Sequence, residues 1–230
     1  MLSLPHIAED RLVVARVVQS STENMYSQRH IWPCAIALSL YLASHWRDCI
    51  AGKSIIEIGA GTCLPGTTAA LLGASRVVCT DQSLSRMPAL SDQNEGVLSL
   101  AAMPWADVQA IDRIASGGFD VIIGADVLFH HDVFDAVLAT CSRIAQQSVP
   151  PPTIVLAFQS RSSSHSLLPL LSQWSMRVVD QVRTDQLLED MESGLSDQLH
   201  QQWMAARDRE AGWSMAGLEG VEIYVIEVGV

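Results

Sequence analysis

Short runs of apolar residues, typical of buried strands, alternate along the chain with longer segments that repeat apolar residues at helical spacing. The run at 119–125 is apolar almost throughout, as expected for a strand that is covered on both faces. The pattern predicts a short strand or hairpin arm at 12–18, followed by seven strands at 54–58, 76–80, 97–101, 119–125, 153–158, 176–182 and 221–228.

Helices are predicted between these strands. Pro33 suits the first turn of a helix over 33–46, in which apolar residues recur at helical spacing. Gly73 closes a helix over 65–72, because glycine readily adopts the left-handed conformation found at helix C-termini. Further helices are predicted at 83–93, 132–146, 165–174 and 186–209. Strands that alternate with helices indicate an α/β fold, with a doubly wound, mostly parallel sheet that carries helices on both faces.

The length and composition suit one domain. The 230 residues are 49% hydrophobic and 17% charged, so the chain can build a full core. No long linker interrupts it, and the prolines at 150–152 fit a connection from a helix to a strand. We therefore predict a single domain over 1–230, with an N-terminal extension over about 1–30 and an acidic helical insert over about 185–212.

The net charge is −11, and the C-terminal part carries most of the excess. From Asp180 onward there are eleven acidic residues against three arginines, and Lys53 is the only lysine of the chain. A face that binds duplex DNA needs cations against the phosphates, so direct nucleic-acid binding is not expected. An acidic surface would attract a basic partner, although a solvated surface that only maintains solubility explains the same charge.

The chain shows no pattern of export or membrane insertion. No run of about 18 apolar residues occurs, and the first residues lack a basic segment followed by a long apolar one. The five cysteines form no Cys-x-x-Cys pair, which favours reduced, buried thiols over a disulfide or zinc framework. These observations predict a cytoplasmic or nuclear protein without a membrane segment.

A glycine-rich loop follows the strand at 54–58, where sheets of this class bind their ligands. Gly59 and Gly61 allow a sharp turn and a close approach to a ligand. The dinucleotide fingerprint requires a third glycine at position 64, which is Leu64, and the Lys-Ser/Thr pair of a phosphate loop is missing. Asp81 ends the next strand, where an acid can accept both hydroxyls of a ribose. The alternative interpretation is a tight turn that binds no ligand. Such a turn would need only the glycines and not the acidic residues beside them.

The stretch from Glu57 to Gly61 (Glu-Ile-Gly-Ala-Gly) resembles motif I of the seven-stranded methyltransferases that use S-adenosylmethionine. Further similarity narrows the resemblance to the methyltransferase-like proteins that modify protein side chains. It covers roughly residues 25–180. The matching segments are 31–35 (Ile-Trp-Pro-Cys-Ala), Trp105, 119–129 (Phe-Asp-Val-Ile-Ile-Gly-Ala-Asp-Val-Leu-Phe), 158–162 (Phe-Gln-Ser-Arg-Ser) and the pair Ser166-Leu167.

The resemblance implies a class I methyltransferase fold, a Rossmann-like sheet of seven strands in which the last strand is antiparallel. It also implies S-adenosyl-L-methionine as the cofactor and no metal. In this family the glycine loop binds the methionine portion, the acid after the second strand holds the ribose, and aromatic residues border the cofactor. Glu57 would organise the loop. The cofactor-binding residues implied in this way are Trp32, Glu57, Gly59, Ala60, Gly61, Asp81, Trp105 and Ala125.

The tetrapeptide from Asp126 to Phe129 stands where the family has Asp/Glu-x-x-Tyr/Phe. The resemblance therefore makes Asp126 the candidate catalytic residue, since a carboxylate beside the reactive methyl group could position an amine or a guanidine. Asp126 could also cap the helix that follows, through residues 131–134. Phe129 lacks the hydroxyl of a tyrosine and can offer only an apolar wall. The neighbouring His-His-Asp triplet at 130–132 indicates a helix start, because adjacent histidines rarely converge on one metal ion.

The sequence thus predicts a methyltransferase that modifies a side-chain nitrogen of a basic protein. The family members that the chain resembles most imply arginine as the acceptor, whereas the family at large implies lysine. A scaffold that binds the cofactor without catalysis is an alternative, as is a small-molecule methyltransferase on the same fold. The intact glycine loop, Asp81 and Asp126 favour an active enzyme, because a scaffold has no need to keep them.

Overall fold

The computed structural model describes residues 2–8, 11–17, 31–87, 96–159, 167–193, 201 and 218–229. Its strands form a two-stranded N-terminal hairpin and one sheet of seven strands. The hairpin pairs β1 (Leu2–Ala8) with β2 (Arg11–Val17) in antiparallel fashion. The sheet contains β3 (Ser54–Ile58), β4 (Arg76–Asp81), β5 (Leu98–Ala102), β6 (Val121–Ala125), β7 (Thr153–Gln159), β8 (Met176–Arg183) and β9 (Val221–Val228).

The strands of the sheet lie in the order β5-β4-β3-β6-β7-β9-β8. The first five strands in this order, β5, β4, β3, β6 and β7, are parallel to one another. Strand β9 runs antiparallel to both β7 and β8. All seven predicted strands are confirmed to within two residues at either end, and so is the antiparallel last strand. The chain order reverses between β3 and β6, so the crevice at their carboxyl ends is where a sheet of this kind binds ligands.

Helices cover both faces of the sheet, as predicted. Apolar side chains of α1, α3 and α7 belong to one buried cluster, and those of α4, α5 and α6 belong to a second cluster on the opposite face. The helices are α1 (Pro33–Ser44), α2 (Trp46–Cys49), α3 (Leu64–Leu71), α4 (Val108–Ala115), α5 (His131–Ala145), α6 (Leu168–Gln173) and α7 (Thr184–Ser193).

Helix α1 is buried on every side, and all its residues from Cys34 to Ala43 are buried. It contacts β6 and β7 of the sheet, and it also contacts the hairpin strand β1. A helix that is covered on both sides has no polar face, which explains why its sequence is largely apolar and why the hydroxyl of the buried Ser39 donates to the carbonyl of Ala35 within the helix. It begins at Pro33, as predicted, and it ends at Ser44 before the short helix α2.

Helix α4 is absent from the prediction. It has only eight residues, so its repeat of apolar side chains extends over little more than two turns, and Ala110, Ile111 and Ala115 are the residues buried along it. The helix begins where the side chain of Asp107 accepts a hydrogen bond from the backbone N–H of Ala110, at 3.0 Å. This is the usual N-cap arrangement. An aspartate followed by residues that favour helices is the signal in the sequence from which this helix could have been predicted.

Three other predicted helices are described only in part. The helix predicted at 83–93 begins as a 3₁₀ turn at Leu84–Arg86, and 88–95 lie outside the described residues. The helix predicted at 165–174 is described from Leu168 onward, and that predicted at 186–209 appears as α7, with 194–200 and 202–217 undescribed. The limits of the N-terminal extension and of the acidic insert stay predictions. Within the described parts of the chain, no helix is long and apolar enough to span a bilayer.

Candidate active site

The loop that joins β3 to α3 turns sharply at the carboxyl end of the sheet. Gly59 and Gly61 have positive φ values of 62° and 48°, a conformation that glycine adopts without strain. The N–H of Ala60 donates to the carbonyl of Thr80 at 2.8 Å, which fastens the loop to the end of β4. Cys63 closes the loop with a φ of 57° at the position before α3. The predicted glycine loop is therefore held as a compact turn between two strand ends.

Trp105 lies directly against Gly59. A Cβ atom added to Gly59 would stand 2.9 Å from Cζ2 of the indole and 2.8 Å from Cγ1 of Val127. Any side chain at position 59 would displace the indole, so the packing of Trp105 requires glycine there. The structure thus brings together two predicted cofactor residues that are separated by two strands in the sequence, and it places a flat aromatic surface beside the glycine loop.

Asp81 ends β4 with its carboxylate turned toward the glycine loop. Oδ2 accepts a hydrogen bond from the N–H of Gly61 at 3.0 Å, and Oδ1 accepts one from the N–H of Gln82 at 2.7 Å. These bonds fix the orientation of the carboxylate. Each carboxylate oxygen has a second lone pair, so Asp81 can accept ribose hydroxyls while it stays bound to the loop.

Glu57 lies beneath the loop and is buried, with 1% of its surface exposed. Its Oε2 accepts hydrogen bonds from the N–H of Gly66 at 2.9 Å and from Sγ of Cys79 at 3.2 Å. A Cβ atom on Gly66 would stand 2.6 Å from that oxygen, so only glycine leaves room for the carboxyl group. Burial raises the pKa of Glu57 to about 8. Glu57 thus joins β3 to the first turn of α3, next to the glycine loop.

Asp126 follows the last residue of β6 in a left-handed conformation, with a φ of 54°. Its N–H donates to the carbonyl of Ala157 at 3.0 Å, and the thiol of Cys34 lies 3.9 Å from its Oδ1. Helix α5 begins only at His131, with His130 at its N-cap position. The interpretation of Asp126 as the helix cap is therefore wrong, because a cap residue must stand immediately before the helix.

Trp32 and Ala125 lie at the edges of the same region. Trp32 is partly buried immediately before α1, and its carbonyl accepts the N–H of Ala35 at 2.9 Å. Ala125 ends β6 and pairs with Ala157. The contact from Cys34 to Asp126 shows that the start of α1 meets the end of β6. Cys34 was not predicted as a site residue, although its place in the segment 31–35 was a usable signal.

The His-His-Asp triplet at 130–132 starts α5, as predicted. Nδ1 of His130 lies 3.3 Å from Oδ2 of Asp132, and both side chains are mostly exposed. Among the described residues, no group of three or more His, Cys, Asp or Glu side chains has an arrangement that could hold a metal ion.

Phe129 completes an aromatic wall above the site. It is 48% exposed, and its ring centroid lies 6.5 Å from that of Trp105. The wall therefore runs from the glycine loop to the segment that begins at Asp126. The position of Phe129 next to Trp105 could not be deduced from the sequence.

The predicted cofactor residues lie together at the carboxyl end of the sheet, where S-adenosyl-L-methionine is expected to bind. The sharp turn at Gly59 and Gly61 lies beside the carboxylate of Asp81, which is an acceptor for hydroxyls, and beside the flat face of the Trp105 indole. Asp126 adds a carboxylate on the side away from Asp81. Together with the reversed strand order and the antiparallel β9, this arrangement defines a class I methyltransferase that depends on S-adenosylmethionine.

Comparison with a solved structure supports this fold. The chain aligns with a cyclopropane-fatty-acyl-phospholipid synthase-like protein from Lactobacillus casei at a TM-score of 0.53 and 14% sequence identity. The alignment covers 91% of this chain and 95% of the other. At this identity the likeness concerns the fold alone.

Sequence comparison identifies the family. A sequence model of the lysine methyltransferase family matches residues 16–172. The chain is 33% identical to the histone-arginine methyltransferase METTL23 of Homo sapiens, over 65% of this chain and 80% of that protein. It is also 33% identical to the protein N-lysine methyltransferase METTL21A of Danio rerio, over 50% of this chain and 54% of that protein. The chain belongs to this family of methyltransferases, and S-adenosyl-L-methionine is its cofactor.

Proposed function

We propose that this enzyme transfers a methyl group to an arginine side chain of a basic protein such as a histone. The observation that carries the proposal is the similarity to METTL23, which is named a histone-arginine methyltransferase and matches more of this chain than METTL21A does. A nuclear or cytoplasmic location follows from such a substrate. The local chemistry of the site gives further support.

The carboxylate of Asp126 fits the requirements of a guanidinium acceptor. A guanidinium is always charged in water and binds carboxylates through a planar set of N–H donors. Asp126 would accept such donors and orient one nitrogen toward the methyl carbon, where in-line displacement needs close alignment. The lone pair of the nitrogen forms the new C–N bond while the C–S bond breaks. The electron pair of the broken C–S bond stays on sulfur. The acceptor nitrogen then releases one proton to solvent.

The surroundings of the site suit a protein segment. The structure describes six large hydrophobic residues with well-exposed side chains, of which four follow the carboxyl ends of the parallel strands. These four are Leu84 after β4, Val108 after β5, Phe129 after β6 and Leu168 after β7. Exposed apolar side chains after these strands favour a polypeptide over a small polar molecule, and the net charge of −11 favours a basic one.

Lysine is the second candidate acceptor, because the family model and METTL21A carry that description. A lysine must lose its proton before it attacks, whereas Asp126 would stabilise the charged ammonium form. The same carboxylate is therefore better suited to hold a guanidinium. A scaffold without catalysis would have no need of Asp126.

The test is incubation of the enzyme with core histones and isotopically labelled S-adenosylmethionine, followed by peptide mass spectrometry. Label on arginine supports the proposal, and label confined to lysine establishes the second candidate. The matched control is Asp126→Asn, which should bind the cofactor normally and transfer little label. If the wild type binds the cofactor but labels neither histones nor a cell lysate, the scaffold interpretation replaces the proposal.

A further inference from the structure

The loop from β5 to α4 carries Trp105 and is fastened to α5 at one point. The residue after the tryptophan, Ala106, has a φ of 60°, which is left-handed. Its N–H donates to the Oγ1 atom of Thr140 at 2.9 Å. Thr140 is buried in α5, and its hydroxyl donates in turn to the carbonyl of Ala136 at 2.8 Å. Both hydrogen-bonding functions of the hydroxyl are therefore used.

An alanine in the left-handed conformation is strained, because its Cβ atom crowds the following carbonyl oxygen. Such a conformation persists only where the surroundings hold it, and strained residues concentrate at functional sites. Among the described residues, four that are not glycine have a positive φ, and three of these lie in loops of the candidate site: Cys63, Ala106 and Asp126. At Ala106 the structure shows the restraining contact, which is the hydroxyl of Thr140.

We propose that Thr140 is a positioning residue of the cofactor site, acting through Ala106 on the indole of Trp105. The inference rests on the assignment of Trp105 to the cofactor site. The hydroxyl holds the loop in the conformation that sets the indole against Gly59, so closely that a Cβ atom on Gly59 would stand only 2.9 Å from Cζ2 of the ring. If the hydrogen bond is lost, Ala106 can relax toward the right-handed region, and the peptide that carries Trp105 rotates with it. A displacement of about 1 Å is enough to impair a close-fitting site.

The chain contains a matched control at the other end of β6. The hydroxyl of Ser148 accepts the N–H of Phe119 at 3.0 Å and donates to the carbonyl of Ile144 at 3.0 Å. It therefore makes the same two kinds of hydrogen bond as Thr140: it donates to the backbone carbonyl four residues earlier and accepts from the backbone N–H of a loop residue. Phe119 lies before β6, whereas the candidate site lies after it. Loss of the Ser148 hydroxyl should affect stability without affecting the cofactor.

The experiment measures the dissociation constant of S-adenosylhomocysteine by titration calorimetry, after circular dichroism has shown that each variant is folded. Thr140→Val keeps the shape of the side chain and removes the hydroxyl, and it should weaken binding about tenfold. Thr140→Ser restores the hydroxyl and should restore the affinity. Ser148→Ala should lower the melting temperature and bind as the wild type does.

A double-mutant cycle shows whether the effect passes through the indole. In a Trp105→Phe background the loss of cofactor affinity caused by Thr140→Val should become much smaller, because the indole that Thr140 positions is no longer present. An unchanged affinity in Thr140→Val overturns the inference, as does an equal loss in Ser148→Ala or an undiminished loss in the Trp105→Phe background. The measurement is independent of the acceptor. An enzyme that shows these affinities but methylates no arginine would retain the role of Thr140 and contradict only the proposed substrate.

Discussion

Cys34 and Asp126 stand 92 positions apart in the sequence, and the Sγ atom of one lies 3.9 Å from the Oδ1 atom of the other. The contact joins the first turn of α1 to the end of β6. It therefore also brings the segment with Trp32 to the side of the site where Asp126 stands. The candidate acceptor position is thus bounded by the N-terminal helix as well as by the loops that follow the strands.

Asp126→Asn should lower the rate of methyl transfer by roughly one to two powers of ten, because charge-assisted hydrogen bonds to a cationic acceptor contribute about 1.5–3 kcal/mol. Asparagine tolerates the left-handed conformation of this residue, so the free energy of unfolding should change little. Single-turnover rates and calorimetry with S-adenosylhomocysteine measure the two effects separately. Full activity in the asparagine variant would remove Asp126 from the mechanism, and an equal loss of cofactor affinity would place it on the cofactor instead.

Asp81→Ala should weaken the binding of S-adenosylmethionine by about ten- to a hundredfold, because acceptors for both the ribose and the Gly61 N–H are lost. Asp120→Ala is the matched control. Asp120 also accepts a strand-end backbone N–H, from Ser54 at 2.8 Å, but it lies at the opposite end of the sheet. Calorimetric titration of both variants should therefore show a loss only at Asp81. Equal affinities would mean that Asp81 serves only the loop.

Gly59→Ala should impair cofactor binding and stability together. The new methyl group would be 2.9 Å from the indole of Trp105, and the φ of 62° adds strain of about 1 kcal/mol. Gly52→Ala separates the two effects, because Gly52 has a φ of 71° and open space around it. Chemical unfolding should show a cost of about 1 kcal/mol in Gly52→Ala and a greater one in Gly59→Ala. Only the latter should lose affinity, and comparable affinities in both would contradict the close packing at Gly59.

Glu57 should make the protein less stable as the pH rises. Burial raises its pKa in the folded state to about 8, from an ordinary value of 4.5. Between these values the folded state keeps a proton that the unfolded state has released, so stability from this group is greatest at low pH and is lost as the pH rises. The slope approaches about 1.4 kcal/mol per pH unit.

The variant Glu57→Gln isolates this contribution, because the amide keeps the acceptor for the N–H of Gly66 but does not titrate. Urea unfolding at about pH 5.5 and about pH 7.5 should show the wild type losing more stability than the variant between the two conditions. Parallel losses in the two proteins would mean that the buried carboxyl group does not hold its proton in this range.

The sheet could be predicted from the sequence because its strands are short segments rich in apolar residues, and β6 and β7 at its centre are apolar almost throughout. The long helix α5 could also be predicted, because apolar residues recur along it at helical spacing. Helix α4 was not predicted because its apolar repeat extends over only eight residues, although apolar residues within it recur at helical spacing. A repeat of little more than two turns is a weak signal beside the fifteen residues of α5.

The site could be predicted only where its residues belong to one contiguous motif or end a strand. Gly59, Gly61 and Asp81 were found in this way, and the structure places them together. The hydrogen bond between Ala106 and Thr140 spans 34 residues and depends on how a loop meets a helix, so no local signal marks it. The helix-cap interpretation of Asp126 failed for a related reason, because the chain turns through a left-handed residue before α5 begins.

The position of α1 between the sheet and the N-terminal hairpin limits how far the protein can be shortened. A truncated form that starts at Ile31 would keep all seven strands of the sheet. It would also uncover α1 where β1 now contacts it, and α3 where β2 contacts it. Freshly exposed apolar surface of this kind promotes aggregation. The first 17 residues therefore belong in any soluble form of the enzyme, whether or not they touch a substrate.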